Sequence, residues 1–160
     1  MSTAEAGIRA LSPDDIPACA AILAGLPQWF GMEASNRAYV ESLETLPAAV
    51  ATLDGRIAGF VALQEHGPGS VEIHVMGVEA ADHRRGLGRA LVDWCKAWCR
   101  ERGVRWLHVK TRGPATPDPD YERTRRFYRA QGFEPLFESL ELWGPGNAAL
   151  ILVQRLDPDV

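Results

Sequence analysis

Apolar positions along the chain switch between a two-residue and a three-to-four-residue rhythm, and the switches predict alternating strands and helices. Ile8-Arg9-Ala10-Leu11 reads as a short strand. Ser12-Pro13-Asp14-Asp15 follows as a helix start, with a polar cap and proline in the first turn. Ile16, Cys19, Ala20 and Leu23 continue at helical spacing, and a second helical region is expected over 27–46, around Trp29, Phe30, Asn36 and Tyr39. Residues 50–53 and 57–63 flank Asp54-Gly55, a dipeptide suited to the positive backbone angles of a tight hairpin. After His66-Gly67-Pro68-Gly69, residues 71–78 should form a third long strand. Leu87, Leu91, Trp94 and Trp98 then recur at helical spacing, so a helix is expected from the Gly86-Leu87-Gly88 turn to about Arg102, ended by Gly103. A strand over 106–110, a Pro-rich loop over 113–120 and a helix over 121–130 closed by Gly132 come next. Two last strands, over 134–142 and 148–155, surround Gly144-Pro145-Gly146-Asn147. The order implies one α/β (α+β) domain over residues 1–160, a mixed sheet with helices packed on it.

Composition narrows the setting. A chain of 160 residues can bury about two-thirds of its unfolded surface without metals or disulfides. Cys19, Cys95 and Cys99 leave one thiol over in any pairing, and the last two sit four apart on a predicted helix, which is not a metal-binding spacing. No metal site is indicated. The first residues lack the basic start and apolar stretch of a signal peptide, and no run reaches the ~18 apolar residues that span a membrane. A soluble, cytoplasmic protein is the expectation.

The net charge of −4 hides an asymmetry: residues 83–129 hold 13 of the 17 Lys and Arg but only 5 of the 21 Asp and Glu. A polyanion beside this segment is expected, nucleotide cofactor or nucleic acid. The overall acidity, with a pI near 5.6, and the lack of any reader motif argue against nucleic acid.

The glycines of His83-Arg84-Arg85-Gly86-Leu87-Gly88 fall where a strand hands over to a helix. There, backbone N–H groups can approach an anion closely and the helix N-terminus adds partial positive charge. The phosphate loop Gly-x-x-x-x-Gly-Lys-Ser/Thr is absent, and the third glycine of the dinucleotide fingerprint is replaced by Leu91.

In this hexapeptide the chain resembles the GNAT superfamily of N-acetyltransferases, whose fingerprint is Gln/Arg-x-x-Gly-x-Gly/Ala after a long strand. His83 stands where that pattern has Gln or Arg. Residues 50–63 look like the family's central hairpin, and Phe127-Tyr128-Arg129-Ala130-Gln131-Gly132-Phe133 looks like its Phe-Tyr-x-x-x-Gly-Phe segment. The resemblance implies a mostly antiparallel sheet of six to seven strands flanked by about four helices, with acetyl-coenzyme A as cosubstrate. It places the cofactor at His83, Arg84, Arg85, Gly86, Leu87, Gly88 and Arg89, with main-chain groups of Met76, Gly77 and Val78 on the pantetheine arm and Tyr128 at the departing sulfur. The family often carries Asn and Ala where this chain has Tyr121 and Thr124, so a cofactor contact from that Asn falls away, and Thr124 or Arg125 could supply another.

An amine attacks a thioester only as the free base. Deprotonating a lysine-like amine at pH 7 costs roughly 4.6 kcal/mol, an α-amino group only about 1.4. Glu72 and His74, two apart on one strand, project from the same face. Glu72, fourteen residues before Gly86, matches the position of a glutamate base in some GNAT enzymes. It is the candidate base, with His74 as helper or substrate contact; the plainer reading is a solvated face or structural ion pair. Tyr128, with a phenol pKa near 10, would stabilise the leaving thiolate by a hydrogen bond more readily than protonate it. Trp29, with Phe30, Asn36 and Tyr39, falls where the family varies its acceptor cover, although an aromatic set at this spacing is more often core. Phe127, Trp94, Trp98, Cys95 and Cys99 read as packing. The implied activity is acetyl transfer from acetyl-coenzyme A to a primary amine of a small molecule or peptide, by direct attack in a ternary complex. No nucleic acid or membrane partner is implied, a homodimer is possible, and the alternative is a non-catalytic acyl-coenzyme A sensor.

Overall fold

The computed structural model describes residues 5–157. Seven strands form one sheet in the order β1-β2-β3-β4-β5-β7-β6. The strands are β1 (Ala6–Ala10), β2 (Ala48–Leu53), β3 (Arg56–His66), β4 (Ser70–Val78), β5 (Trp106–Arg112), β6 (Glu134–Ser139) and β7 (Ala149–Arg155). The described pairings of β1 with β2, β2 with β3, β5 with β7 and β6 with β7 are antiparallel, while β4 and β5 run parallel. Among the described residues, four α-helices accompany the sheet: α1 (Ile16–Ala24), α2 (Glu33–Ser42), α3 (Leu87–Glu101) and α4 (Pro119–Ala130). The expected architecture is present.

By contact density the chain forms two compact units, one of residues up to 64 with 74–97, the other of 65–73 with the residues from 98 on. In the first, Cys19, Ile22 and Leu23 of α1 meet Val50 of β2, Phe60 and Ala62 of β3, and Val75 of β4, all at most 9% exposed. Each such aliphatic side chain contributes about 1.5–3 kcal/mol by leaving water. Asp54 and Gly55 take φ of 51° and 81°, and the hairpin closes as the dipeptide predicts. In the second unit, alternate residues of β5 (Leu107 and Val109) and most of β7 (Ala149 to Leu152) are buried with Phe133.

Several boundaries differ from expectation. The helical region over 27–46 contracts to α2: the chain from 27 to 29 turns, and Gly31, a poor helix former, precedes the helix start. On α3 the buried stripe is Leu87, Leu91, Val92, Cys95 and Cys99, whereas Trp94 and Trp98 are half exposed. The indole of Trp98 carries the Arg102 guanidinium 4.0 Å from its ring centroid. Strand β6 stops at Ser139, whose Oγ accepts from the amides of Glu141 and Leu142 and turns the chain. Among the described residues, no helix is long and apolar enough to cross a membrane.

Candidate functional site

The strand-to-helix turn belongs to the first unit. From the end of β4 at Val78 the chain makes one 3-10 turn, Ala80–Asp82, and enters α3 at Leu87. In between, Arg84 and Gly86 take positive φ, 68° and 79°. Gly86 adopts this at little cost, but Arg84 does so at a penalty of order 1 kcal/mol, and alternation of this kind builds concave clusters of backbone N–H groups that take anions. Residues 83–86 and Arg89 are exposed, Gly88 is half exposed, and Leu87 anchors the helix in the core. The first amides of α3 have no acceptor within their own helix.

Two side chains hold this turn. Asp82, 3% exposed, accepts both Arg56 Nη groups at 2.9 and 3.0 Å, with Arg85 Nε at 3.8 Å. The Arg56 hydrogen bonds hold its carboxyl below the usual range. His83 donates from Nε2 to the Val78 carbonyl at 2.8 Å, which spends this nitrogen on tying the turn to the end of β4. The imidazole also meets the edge of Trp29 at 5.9 Å between centroids, so these two candidates come together.

His74, on the same unit, has its ring edge-on to Tyr39 at 5.3 Å, and Tyr39 is edge-on to Phe30 at 6.0 Å. Trp29, Phe30 and Tyr39 are partly buried against the first unit's core, in line with the packing reading. Asn36 donates to the Phe30 carbonyl at 2.9 Å and fixes the start of α2 against the preceding turn. Met76 and Val78 are half buried and Gly77 is buried. A β-carbon on Gly77 would lie 3.2 Å from Ile22 Cγ2 and 3.3 Å from Phe60, so close packing demands glycine there.

Glu72 belongs to the second unit and is 4% exposed. Its Oε1 lies 2.9 Å from His66 Nε2 and its Oε2 3.1 Å from Lys110 Nζ. Opposite it in the parallel register is His108, whose Nδ1 lies 3.0 Å from Ser70 Oγ and whose ring centroid is 5.3 Å from that of His66. Burial pushes the Glu72 carboxyl up, but the hydrogen bonds from His66 and Lys110 and the Lys110 charge prevail and hold it below the usual carboxylate range. Burial pushes His108 down. Glu72 is therefore an ionised acceptor at neutral pH, reached from solvent through His66, whose side chain is 45% exposed. His66, His108 and Lys110 carry no motif in the sequence. Alternation along β5 puts His108 and Lys110 on one face, but only the parallel register brings them to Glu72.

Tyr128 lies in the last turn of α4, 6% exposed, its ring edge-on to Phe127 at 5.2 Å and to Phe133 at 5.5 Å. Phe133 is fully buried, whereas Phe127 is only half buried, so the core position of this motif is Phe133. Gly132, at φ 98°, makes the exit from the helix. Arg125, a candidate cofactor contact, instead donates to the Arg112 carbonyl at 2.7 Å, and Thr124 Oγ1 donates to Asp120 within its own helix. The Pro-rich loop is tied down as well, with Gly113 bonded to Ala148 and Ala115 to Glu138, which suits a rigid connection. The three cysteines are buried and none forms a disulfide, and burial pushes Cys19 up to about 12 and Cys99 to about 11.

A family model described as the acetyltransferase (GNAT) domain matches residues 45–135. No curated protein matches the chain. Among solved structures, a GNAT-family protein from Desulfovibrio desulfuricans superposes with a TM-score of 0.85 at 20% identity, over 96% of this chain and 100% of that one. The ribosomal-protein-S18-alanine N-acetyltransferase from Escherichia coli gives 0.73 at 20% identity, over 98% and 97%. The protein yncA from Salmonella typhimurium, solved with its cofactor acetyl-CoA, gives 0.73 at 18% identity, over 97% and 96%. At these identities the likeness is one of fold.

Proposed function

The chain belongs to the GNAT acetyltransferase family, and from that premise we propose that it moves an acetyl group from acetyl-coenzyme A to a primary amine of a small molecule or peptide. The observation that carries this reading is the turn before α3, where Arg84 and Gly86 hold left-handed backbone beside an exposed helix N-terminus. Amides from His83 to Arg89 would take the diphosphate, with Arg84, Arg85 and Arg89 adding charge. Main-chain groups of Met76, Gly77 and Val78 would hold the pantetheine arm by strand addition. The solved structure of yncA with acetyl-CoA supports the choice of cosubstrate, and the S18-alanine N-acetyltransferase supports an amine acceptor.

In this mechanism both substrates bind together, the free amine attacks the thioester carbonyl, and coenzyme A leaves as its thiolate. Glu72 accepts the proton that the nitrogen sheds. A carboxylate at or below its ordinary pKa lies about six units under an alkylammonium, so taking the proton from the resting substrate would cost about 8 kcal/mol. Glu72 therefore acts after attack, when the nitrogen of the adduct has become acidic. A weak base of this kind suits an α-amino acceptor, which at pKa near 8 supplies free amine with less help. Tyr128 donates a hydrogen bond to the developing thiolate, and Trp29 and His74 contact the acceptor.

A non-catalytic acyl-coenzyme A sensor is the second reading, favoured by the engagement of both Glu72 oxygens. Acetyl-coenzyme A consumption across amine libraries separates the two. With a hit in hand, Glu72→Gln should lower kcat about a hundredfold or more and Tyr128→Phe about tenfold, with coenzyme A affinity little changed. Full activity in both variants would remove these assignments while leaving the cofactor turn in place.

A further inference from the structure

The pattern of spacing along the chain points to no metal site, yet the fold brings His66, Glu72 and His108 together with one ligand atom each within 4.8 Å of one another. From this geometry we infer a site for a borderline-soft divalent cation of the Zn2+ class, built of two imidazoles and one carboxylate. Three features distinguish it from a chance surface cluster. The carboxylate is 4% exposed, and its Oε1 already faces His66 Nε2 at 2.9 Å. His108 stands opposite Glu72 in the ladder, so backbone register fixes the spacing of these two ligands. Ser70 Oγ lies 3.0 Å from His108 Nδ1, an outer partner that orients the ring and leaves the other nitrogen for a metal.

Two imidazoles and a carboxylate suit Zn2+, Co2+ or Ni2+, whereas Mg2+ and Ca2+ want oxygen donors. Bonds of about 2.1 Å in tetrahedral geometry bring ligand atoms to about 3.4 Å apart. The ligand atoms, within 4.8 Å of one another, settle to that spacing by side-chain adjustment, and His66, half exposed at the end of β3, has room to swing. The fourth position is left to water. Lys110 Nζ, 3.1 Å from the other oxygen of Glu72, is a rival cation, and its side chain is 34% exposed and can withdraw.

A metal on Glu72 neutralises the carboxylate proposed to accept the proton, so Zn2+ switches off acyl transfer. That consequence rests on Glu72 being the base; the site itself does not.

Calorimetry on the tag-free full chain, stripped with EDTA and titrated with Zn2+ alone, should show one ion bound per chain and no uptake of Mg2+. His66→Ala should weaken Zn2+ at least about tenfold. Lys110→Met should tighten it at least about tenfold by removing the competing charge, an outcome that misfolding cannot imitate. Absence of Zn2+ uptake, or uptake indifferent to both substitutions, overturns the site and leaves the base assignment untouched. Zn2+ uptake with undiminished acetyl transfer overturns inhibition and the base assignment together. Loss of turnover in Zn2+, restored by EDTA, supports both.

Discussion

Gly86 and Gly55 offer a matched pair for testing the cofactor turn. Both lie in the first unit, both have φ near +80° (79° and 81°), and a β-carbon on either would meet nothing within 4 Å. Alanine at either position therefore introduces backbone strain without a clash, costing about 1–2 kcal/mol. For a chain of 160 residues that corresponds to a fall in Tm of about 2–6 °C. The two variants should melt alike and bind differently. The Gly55 methyl points into solvent at a hairpin, while the Gly86 methyl would stand where the diphosphate is proposed to meet backbone amides. Losing or lengthening one charge-assisted hydrogen bond there, worth about 1.5–3 kcal/mol, raises the Kd for acetyl-coenzyme A at least about tenfold. Thermal melts and calorimetry with acetyl-coenzyme A on wild type, Gly55→Ala and Gly86→Ala measure both quantities. Equal affinity in all three proteins, alongside the matched loss of stability, would refute the anion-binding role of this turn.

Other outcomes follow from the same physics. The Arg9 hydrogen bonds hold the Asp15 carboxyl at about 2, so its contribution is complete above the unfolded carboxylate pKa near 4 and fades as pH falls towards 2. With Arg9 half exposed, that contribution is about 1 kcal/mol. Urea denaturation should show Asp15→Asn less stable than wild type at pH 7 and nearly equal at pH 2; a constant gap speaks against it. Asp82→Asn removes the paired charge under the cofactor turn and should cost about 1.5–3 kcal/mol in urea denaturation, with weaker acetyl-coenzyme A binding as the turn loosens. Cys19, Cys95 and Cys99, each 0% exposed, should resist a thiol reagent in the native protein and react together in urea. Stoichiometric labelling within minutes under native conditions would contradict their burial.

Features that depend on a residue's own backbone or on a short periodic run were legible along the chain. Asp54-Gly55 specified a hairpin because both central positions need positive φ, and that is what they adopt. The strand, glycine turn and helix onset around Gly86 were legible for the same reason, as was α4, where Asp118 accepts from the Asp120 amide and Pro119 opens the helix. Tertiary structure decided what depends on register and on which face turns inward. Over 27–46 the apolar residues permit a long helix, but the chain turns before Gly31 and only α2 forms, with its aromatic neighbours drawn to the core. On α3 the small Cys95 and Cys99 fit the buried face, and the bulkier Trp94 and Trp98 stay half exposed. The company of Glu72 was the least legible part. His66, His108 and Lys110 are 6, 36 and 38 residues away along the chain, and a parallel pairing, which no local turn dictates, sets His108 opposite Glu72 and so brings these groups around one buried carboxylate.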